Sequence, residues 1–225
     1  MNLHSTIRRI LNEETQKPKI LEFPSLEFFD NNPFEAWKII QKILQRKGNP
    51  PYSIEGDLYL YDTPIKSLGS LQSVGGVLDL RDTPIESLGN LQSVGGSLFL
   101  YGTPIESLGN LVSVGEDLSL RETPIESLGN LVSVSGGLDL EKTPINSLGN
   151  LQTVGGGLDL ETTPIQSLGN LTSVGGYLDL RYSRIKSFGN LQSVGEFLDL
   201  RRTPLSKMYT REQIREMVNV EYIYL

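Results

Sequence analysis

A column of aspartates is the part of this sequence that comes nearest to catalytic chemistry. Aspartate recurs every 20 residues, each time between two leucines, at Asp139, Asp159, Asp179 and Asp199. If successive repeats stack in register as neighbouring strands, these side chains lie about 4.8 Å apart. Carboxylates about 5 Å apart can cleave glycosidic bonds, and a column of oxygen ligands suits calcium. Because no pocket is indicated around them, we expect a solvated acidic stripe, offset by Arg181 and Arg201, that holds no metal.

The residue types that most other catalytic sites need are absent or scarce. The chain has no cysteine, which excludes disulfides, thiolate metal sites and cysteine nucleophiles. Its one histidine, His4, cannot form a site that needs several histidines. Glycine runs such as 155–157 lack the lysine and the strand–loop–helix context of a phosphate-binding loop. We therefore predict that the protein is not an enzyme and uses no cofactor.

The net negative charge of the chain indicates which classes of partner it can bind. The chain carries 20 basic and 27 acidic residues, a formal net charge of −7, and residues 51–205 alone hold 9 basic and 18 acidic residues. Such acidity disfavours nucleic acid and anionic membranes. It favours a protein partner with a basic or mixed-charge surface. Since neither a signal peptide nor a membrane-spanning segment is indicated, we expect a cytoplasmic protein, with a virion-associated one as the alternative.

A repeat of 20 residues organises most of the chain. The motif LxLxxTPIxSLGNLxSVGG covers about two thirds of the sequence, from Ile54 to Leu205, in eight copies without insertion or deletion. The alternation around each Leu-x-Leu predicts a short, half-buried strand. Pro144 and its equivalents should end that strand, because proline cannot donate to a ladder. Gly149-Asn150 predicts a corner with positive φ, and the Val-Gly-Gly run a return to the next strand. One copy cannot fold alone, so the copies must share a core.

The repeat resembles the leucine-rich repeat family, whose rows read LxxLxLxxNxL. Leu158-x-Leu160-x-x-Thr163-x-Ile165 matches the core of that pattern, with threonine where the family usually has asparagine. The resemblance implies a curved stack with one parallel sheet, extended or 3₁₀-like outer segments, and a bacterial or bacteriophage type of repeat. We expect the threonine hydroxyls to bond to the backbone of neighbouring coils. A threonine ladder for ice binding is a weaker alternative, because charged positions adjoin it.

The two ends of the chain do not repeat and predict caps. A short amphipathic helix is indicated over about 4–14, and it either packs on the solenoid or reaches a partner. A second helix begins with Asn32 as N-cap and Pro33 at its first position, and ends near Gly48. At the other end, a helix over about 210–219 precedes a final strand that includes Ile223. The domains we predict are an N-terminal helical cap at 1–51, eight repeats at 52–205, and a C-terminal cap at 206–225.

The positions that vary while the scaffold stays constant are the candidate binding residues. They flank each Leu-x-Leu and are rich in tyrosine and arginine, the residue types that anchor interfaces. An alternative is a ladder that supports itself, with each guanidinium stacked on the ring of the next coil. The candidate partner-binding residues are Tyr59, Tyr61, Arg81, Phe99, Tyr101, Arg121, Tyr177, Arg181, Tyr182, Phe197, Arg201 and Arg202.

Together these observations predict an α/β repeat solenoid: a leucine-rich-repeat stack with a parallel β-sheet, about eight coils plus a closing strand, and helical caps at both ends. We expect noncatalytic protein–protein recognition through the strand face. The alternative is a structural component of a larger assembly, such as a phage or virion, that makes its contacts through caps and edges. The sequence leaves the oligomeric state open.

Overall fold

The protein is a solenoid whose coils are stacked in register. The computed structural model describes residues 20–24 and 32–225. Each 20-residue coil contributes two short strands, and each strand pairs in parallel with its equivalents in the coils before and after it, as Leu138 does with Leu118 and Leu158. The predicted repeat solenoid with parallel strands is therefore confirmed. The helix predicted over 4–14 lies outside the described residues.

The strands form two sheets of nine. The first, here called the Ser-Val sheet, contains β1 (Leu21–Phe23), β2 (Tyr52–Ile54), β4 (Leu71–Val74), β6 (Ser93–Val94), β8 (Ser113–Val114), β10 (Ser133–Val134), β12 (Thr153–Val154), β14 (Ser173–Val174) and β16 (Ser193–Val194). The second, here called the Leu-Asp sheet, contains β3 (Leu58–Tyr59), β5 (Leu78–Asp79), β7 (Leu98–Phe99), β9 (Leu118–Ser119), β11 (Leu138–Asp139), β13 (Leu158–Asp159), β15 (Leu178–Asp179), β17 (Phe197–Asp199) and β18 (Tyr222–Tyr224).

The Ser-Val sheet is where the structure departs from the expectation of one sheet. The Ser-Val segment is only two residues long and adjoins glycines, so it carries no alternation that would predict a strand. Stacking supplies its partners instead, since Val134 lies level with Val114 and Val154 in the adjacent coils. The remaining side of each coil is extended, as expected, with single bridges such as Ser107 to Ser127.

The core runs through the middle of the stack. All six apolar positions of a coil are buried, in one copy Leu138, Leu140, Ile145, Leu148, Leu151 and Val154. Two corners turn the chain around this core. Gly149 and its equivalents have φ near +60°, as the Gly-Asn pair predicted. The corner after each Leu-x-Leu also has positive φ, but there it is mostly formed by residues other than glycine, such as Lys142 and Tyr182.

The threonine column does not form the predicted ladder between coils. The hydroxyl of Thr83 donates to the carbonyl oxygen of Leu80 in its own coil, at 2.7 Å. The same bond recurs at Thr63, Thr103, Thr123, Thr143, Thr163 and Thr203. From Thr83 onwards these threonines are buried, so the column cannot meet ice. A side-chain bond between coils comes instead from asparagine, as when Asn110 Nδ2 donates to Gly89 O at 3.3 Å.

The N-terminal edge is covered by helix α1 (Pro33–Arg46), which begins where the sequence predicted. The Asn32 carboxamide accepts the Glu35 amide, and Ala36, Trp37, Ile40 and Leu44 are buried against the first coil. Gln41 Nε2 donates to the Tyr52 hydroxyl at 2.6 Å, and that hydroxyl donates to Leu68 O at 2.9 Å. The unpredicted strand β1 adds one more member to the Ser-Val sheet beyond β2.

The C-terminal segment closes the other edge. Helix α2 (Leu205–Met208) leads into helix α3 (Arg211–Met217), where a capping box joins Thr210 and Gln213. Strand β18 then pairs with β17, placing Ile223 level with Leu198. Among the described residues, no helix has the length and apolar character needed to cross a membrane.

Candidate functional site

The outer face of the Leu-Asp sheet presents three columns of side chains. They come from the positions before, between and after the two leucines of each coil, because alternate residues of a strand point to the same side. The first column holds Asp57, Val77, Ser97, Asp117, Gly137, Gly157, Tyr177 and Phe197. The second holds Tyr59, Asp79, Phe99, Ser119, Asp139, Asp159, Asp179 and Asp199. The third holds Tyr61, Arg81, Tyr101, Arg121, Glu141, Glu161, Arg181 and Arg201.

Ten of the twelve candidate residues from the sequence lie in these columns. The other two, Tyr182 and Arg202, occupy the corner that follows the third column, where the backbone has positive φ. Tyr182 is 56% exposed at that corner. The structure thus brings the candidates onto one continuous surface, with Tyr182 and Arg202 along its margin.

The aspartates of the second column are not the solvated stripe we expected. Asp79, Asp179 and Asp199 are buried, and Asp139 and Asp159 are half-buried. Each carboxylate turns back to its own strand and accepts the amide of the residue two positions later, as Asp159 Oδ1 does from Glu161 at 2.8 Å. This bond satisfies a backbone donor that the sheet leaves free, and it orients the carboxylate identically in every coil.

Three coils place an arginine on their aspartate. Arg81 Nε and Nη2 donate to the Asp79 carboxylate at 2.9 and 2.6 Å, and Arg201 binds Asp199 in the same way. Arg181 contacts Asp179 and also reaches Glu161 in the preceding coil, at 2.6 Å. The hydrogen bonds to aspartate raise the pKa of each of these guanidinium groups.

Two adjacent coils carry glutamate in the third column, where the other coils carry arginine or tyrosine. Glu141 pairs with Arg121 of the preceding coil and with Lys142, and Glu161 pairs with Arg181. Among the described residues, no ion pair within 4.0 Å involves Asp139 or Asp159. Burial raises the pKa of Asp159 to about 6, with the neighbouring carboxylates Asp179 and Asp139 adding to the shift. Burial also raises the pKa of Asp139.

Aromatic rings flank this acidic region. Towards the N-terminus the Arg81 guanidinium lies 5.9 Å from the Tyr61 ring centroid and 5.6 Å from that of Phe99. Towards the C-terminus Tyr177 and Phe197 stack with centroids 5.4 Å apart. Burial, followed by the charge of Asp159, raises the pKa of Tyr177. Both interpretations of the tyrosine–arginine columns thus have support: Arg81 is held within the ladder, whereas Tyr61 and Tyr101 stay 51% and 41% exposed.

Between the two aromatic groups the face is hollow. Small residues in the middle coils leave a depression of about 510 Å³, here called the acidic hollow, lined chiefly by Phe99, Asp117, Ser119, Gly137, Asp139, Gly157 and Tyr177. The Tyr177 ring lies directly over Gly157, since a Cβ at that position would be 2.3 Å from the ring. Of the lining side chains, only Phe99 and Tyr177 were candidates from the sequence. The signal for the others was the change from large to small residues along the first column.

Asp139 lines the hollow, and it belongs to a group of neighbouring carboxylates that could also hold a cation. Carboxylate oxygens of Asp139, Glu141 and Asp159 lie within 4.8 Å of one another, as do those of Asp159, Glu161 and Asp179. Oxygen-only sets of this kind suit hard divalent ions. Other depressions differ in their charge: one of about 600 Å³ on the Ser-Val sheet is lined mainly by small residues, and one of about 560 Å³ beside Phe34 and Tyr61 contains the paired Asp79 and Arg81. A smaller one of about 240 Å³ lies beside Phe188 and Met217.

Comparison with known proteins gives no relative for this chain. No protein-family model matches it, and no curated protein or solved structure matches it significantly. The repeat of 20 residues and the parallel stacked strands are consistent with a leucine-rich-repeat-like architecture. The chain is therefore described by its architecture: a β-solenoid with two parallel sheets and an acidic hollow on one of them.

Proposed function

We propose that this protein is a noncatalytic recognition scaffold that binds a protein partner through the outer face of its Leu-Asp sheet. The observation that carries the proposal is the acidic hollow, an open, concave and negatively charged region between Phe99 and Tyr177. Aromatic residues are enriched at protein interfaces and anchor them near the centre, and Phe99 and Tyr177 both line the hollow. Its charge favours a partner surface that is basic or mixed in charge.

The distribution of side chains over the coil supports this choice of face. The Leu-Asp sheet carries most of the variation between coils, from Arg81 to Glu141 in one column. The Ser-Val sheet repeats serine or threonine at almost every level, such as Ser133, Thr153 and Ser173. A scaffold with one variable and one constant face is what selective binding through the variable face requires.

The geometry gives less support to catalysis. Glycosidic chemistry needs one carboxyl group to donate a proton while the other attacks or activates water. Asp139 and Asp159 share the same orientation, each accepting a backbone amide two residues on. The face is also open, whereas enzymes usually enclose their substrates.

The alternative, assembly through edges, is disfavoured by the way the C-terminal edge is covered. Arg211 Nε already donates to the carbonyl oxygen of Ile223 in the last strand, and Arg215 Nη2 donates to that of Glu221 just before the strand. Side chains that occupy an edge in this way prevent addition of another strand. We further propose that the repeats are a short, leucine-rich-repeat-like variety, and that the protein works in the cytoplasm, where chains without disulfides are common.

The proposal can be tested by affinity capture from a lysate of the source organism. Three baits are compared: the wild type, the face variant Tyr61→Ser/Tyr101→Ser, and the control Gln92→Ser/Val112→Ser, whose residues directly precede strands of the Ser-Val sheet. All four residues are exposed, so each variant should keep its fold, which circular dichroism checks. A protein retained by the wild type and the control but lost by the face variant supports recognition through the Leu-Asp sheet. Equal retention by all three baits would reject that face and favour contacts through caps or edges.

A further inference from the structure

The solenoid contains its own examples of how this face binds a guanidinium. Arg81 and Arg201 each donate to an aspartate of the second column and lie beside an aromatic ring of the following coil, Phe99 at 5.6 Å and Tyr224 at 5.6 Å. The same combination of a carboxylate and a ring therefore occurs twice, at coils far apart in the stack. Guanidinium suits it because the group is planar, donates to both carboxylate oxygens and stacks on rings.

The coils of Asp139 and Asp159 present the same carboxylates without a guanidinium of their own. Each accepts the backbone amide two residues on, as Asp79 and Asp199 do, so the carboxylates are oriented alike. The position that supplies the arginine elsewhere holds Glu141 and Glu161. A ring is also present, because Tyr177 lines the same hollow as Asp139 and lies over Gly157.

We propose that the acidic hollow, together with Asp159 beside it, is a receptor for arginine side chains on an extended basic segment of the partner, with Asp139 and Asp159 as the carboxylates that accept them. The proposal rests on the proposed function and specifies the partner's chemistry. An incoming guanidinium would take the place that Arg81 or Arg201 occupies in its own coil. Asp117, which also lines the hollow, would add negative charge that attracts the segment, whereas Glu141 and Glu161 are already paired with Arg121, Lys142 and Arg181.

Arginine is favoured over lysine and over a divalent ion for separate reasons. An ammonium group can pair with a carboxylate, but it lacks the planar, two-pronged contact that Arg81 makes with Asp79. A divalent ion would satisfy the carboxylates but would make no use of the Tyr177 and Phe99 rings. Only a planar cation uses both kinds of group that line the hollow.

The test measures binding of a labelled peptide of alternating glycine and arginine by fluorescence anisotropy at low salt. Alternation places successive arginines on one side of an extended chain. The comparison peptides replace every arginine by citrulline, which has nearly the same shape but no charge, or by lysine. We expect the arginine peptide to bind, the lysine peptide to bind more weakly, and the citrulline peptide not to bind. Added NaCl should weaken binding, because exposed charge pairs are screened.

Two variants locate the site. Asp139→Asn/Asp159→Asn keeps the acceptor oxygens for the backbone, and removing both charges should weaken binding about tenfold or more. The control Glu86→Gln/Glu106→Gln removes the same charge from exposed positions elsewhere on the coil and should change binding little. Glu141→Arg/Glu161→Arg should block the site from within, because the chain then supplies its own guanidinium groups. Its charge-matched control is Glu86→Arg/Glu106→Arg.

Several results would overturn the inference. Equal binding of the citrulline peptide would exclude a charge-dependent site, and unchanged binding by the asparagine variant would place the site elsewhere. Stoichiometric binding of Ca²⁺, lost in the asparagine variant, without binding of the arginine peptide would identify a cation site instead. If affinity capture succeeds through the Leu-Asp sheet while the arginine peptide fails, the inference alone is wrong. If both fail, the proposed function fails with it.

Discussion

Two regions of the Leu-Asp sheet share the same backbone geometry but differ in whether their aspartates are neutralised. At Asp79, Asp179 and Asp199 an arginine two residues later neutralises the aspartate, and these carboxylates are buried. At Asp139 and Asp159 the corresponding residue is a glutamate, and the carboxylates remain half-buried with raised pKa values. The residue after each Leu-x-Leu therefore determines the state of the aspartate in its coil. In a self-satisfied coil an arginine of the same coil pairs with the aspartate, and in an open coil the aspartate is left available to a ligand.

The scaffold beneath the two regions is the same. The leucines are in register throughout, and the aspartate accepts the same backbone amide in all five coils. Substitutions in the scaffold should therefore cost the same in both regions, whereas substitutions of the outward charges should differ between them. The predictions below use that contrast, starting from the largest effect.

The largest effect is expected at the glycines where one coil touches the next. A Cβ at Gly155 would be 2.0 Å from Ser135 O, and one at Gly175 would be 2.1 Å from Gly155 O. Backbone atoms cannot move away cheaply, so Gly155→Ala and Gly175→Ala should each lower the free energy of unfolding by about 3 kcal/mol or more. Urea titration measures both. Gly155 precedes the open coil of Asp159, and Gly175 precedes the self-satisfied coil of Asp179. Clearly unequal losses of unfolding free energy would therefore contradict a scaffold that is common to both regions.

Much of this scaffold could be predicted from the sequence, because strict periodicity leaves few choices. The six apolar positions, the Leu-x-Leu strand, the α1 N-cap at Asn32 and the closing strand with Ile223 all follow from local patterns. The Ser-Val sheet could not be predicted in this way, since its two-residue strands exist only through contacts between coils. The sequence also could not tell that the threonine hydroxyls bond within their own coil.

The site was harder to predict for a related reason. Tyrosine and arginine were noticed because they are large, but the hollow depends on Gly137, Gly157 and Ser119, which matter for the space that they leave. The burial of Asp79 and Asp199 also depends on how Arg81 and Arg201 fold back over them. The hollow arises from differences between neighbouring repeats, and the cover over each aspartate depends on an arginine conformation that the sequence pattern does not specify.

Replacing one aspartate by asparagine should change the free energy of unfolding in opposite directions in the two regions. Asp79→Asn keeps the backbone acceptor but loses the charge that holds Arg81, so the free energy of unfolding should fall by about 1.5 kcal/mol. Asp159→Asn also keeps the acceptor but relieves repulsion from Asp139 and Asp179, so stability at pH 7.5 should rise. Urea unfolding of both variants at that pH provides the comparison. If both substitutions destabilise, Asp159 has a basic partner and the two regions are alike.

The pH dependence of stability should identify Asp159 in a second way. Its pKa is about 6 in the folded protein and has a usual value of 3.8. Between these values the folded state holds a proton that the unfolded state has lost. This carboxyl therefore makes stability fall as pH rises from about 4 to about 6, and the loss is complete above that range.

The measurement is urea unfolding of the wild type and Asp159→Asn between pH 4 and pH 7.5. The advantage of the variant should be largest at pH 7.5 and should shrink as the pH falls, because the wild-type carboxyl takes up its proton. Comparing the two proteins at each pH cancels the titration of carboxyl groups far from residue 159, so the remaining difference reports Asp159 and its coupling to Asp139 and Asp179. A difference that stays constant with pH would mean that Asp159 ionises normally and that its coil is not electrostatically open.

The smallest expected effect on stability comes from the Tyr61 ring, which lies beside the self-satisfied coil of Asp79 and Arg81. The Tyr61 ring lies 5.9 Å from the Arg81 guanidinium, a contact worth about 0.5 kcal/mol at an exposed site. A double-mutant cycle with Tyr61→Ser and Arg81→Gln should return a coupling of that size, measured by urea unfolding of the four proteins. A coupling indistinguishable from zero would mean that Tyr61 does not support Arg81. The exposed Tyr61 ring would then be available to a partner, and Asp79 alone would hold Arg81 in place.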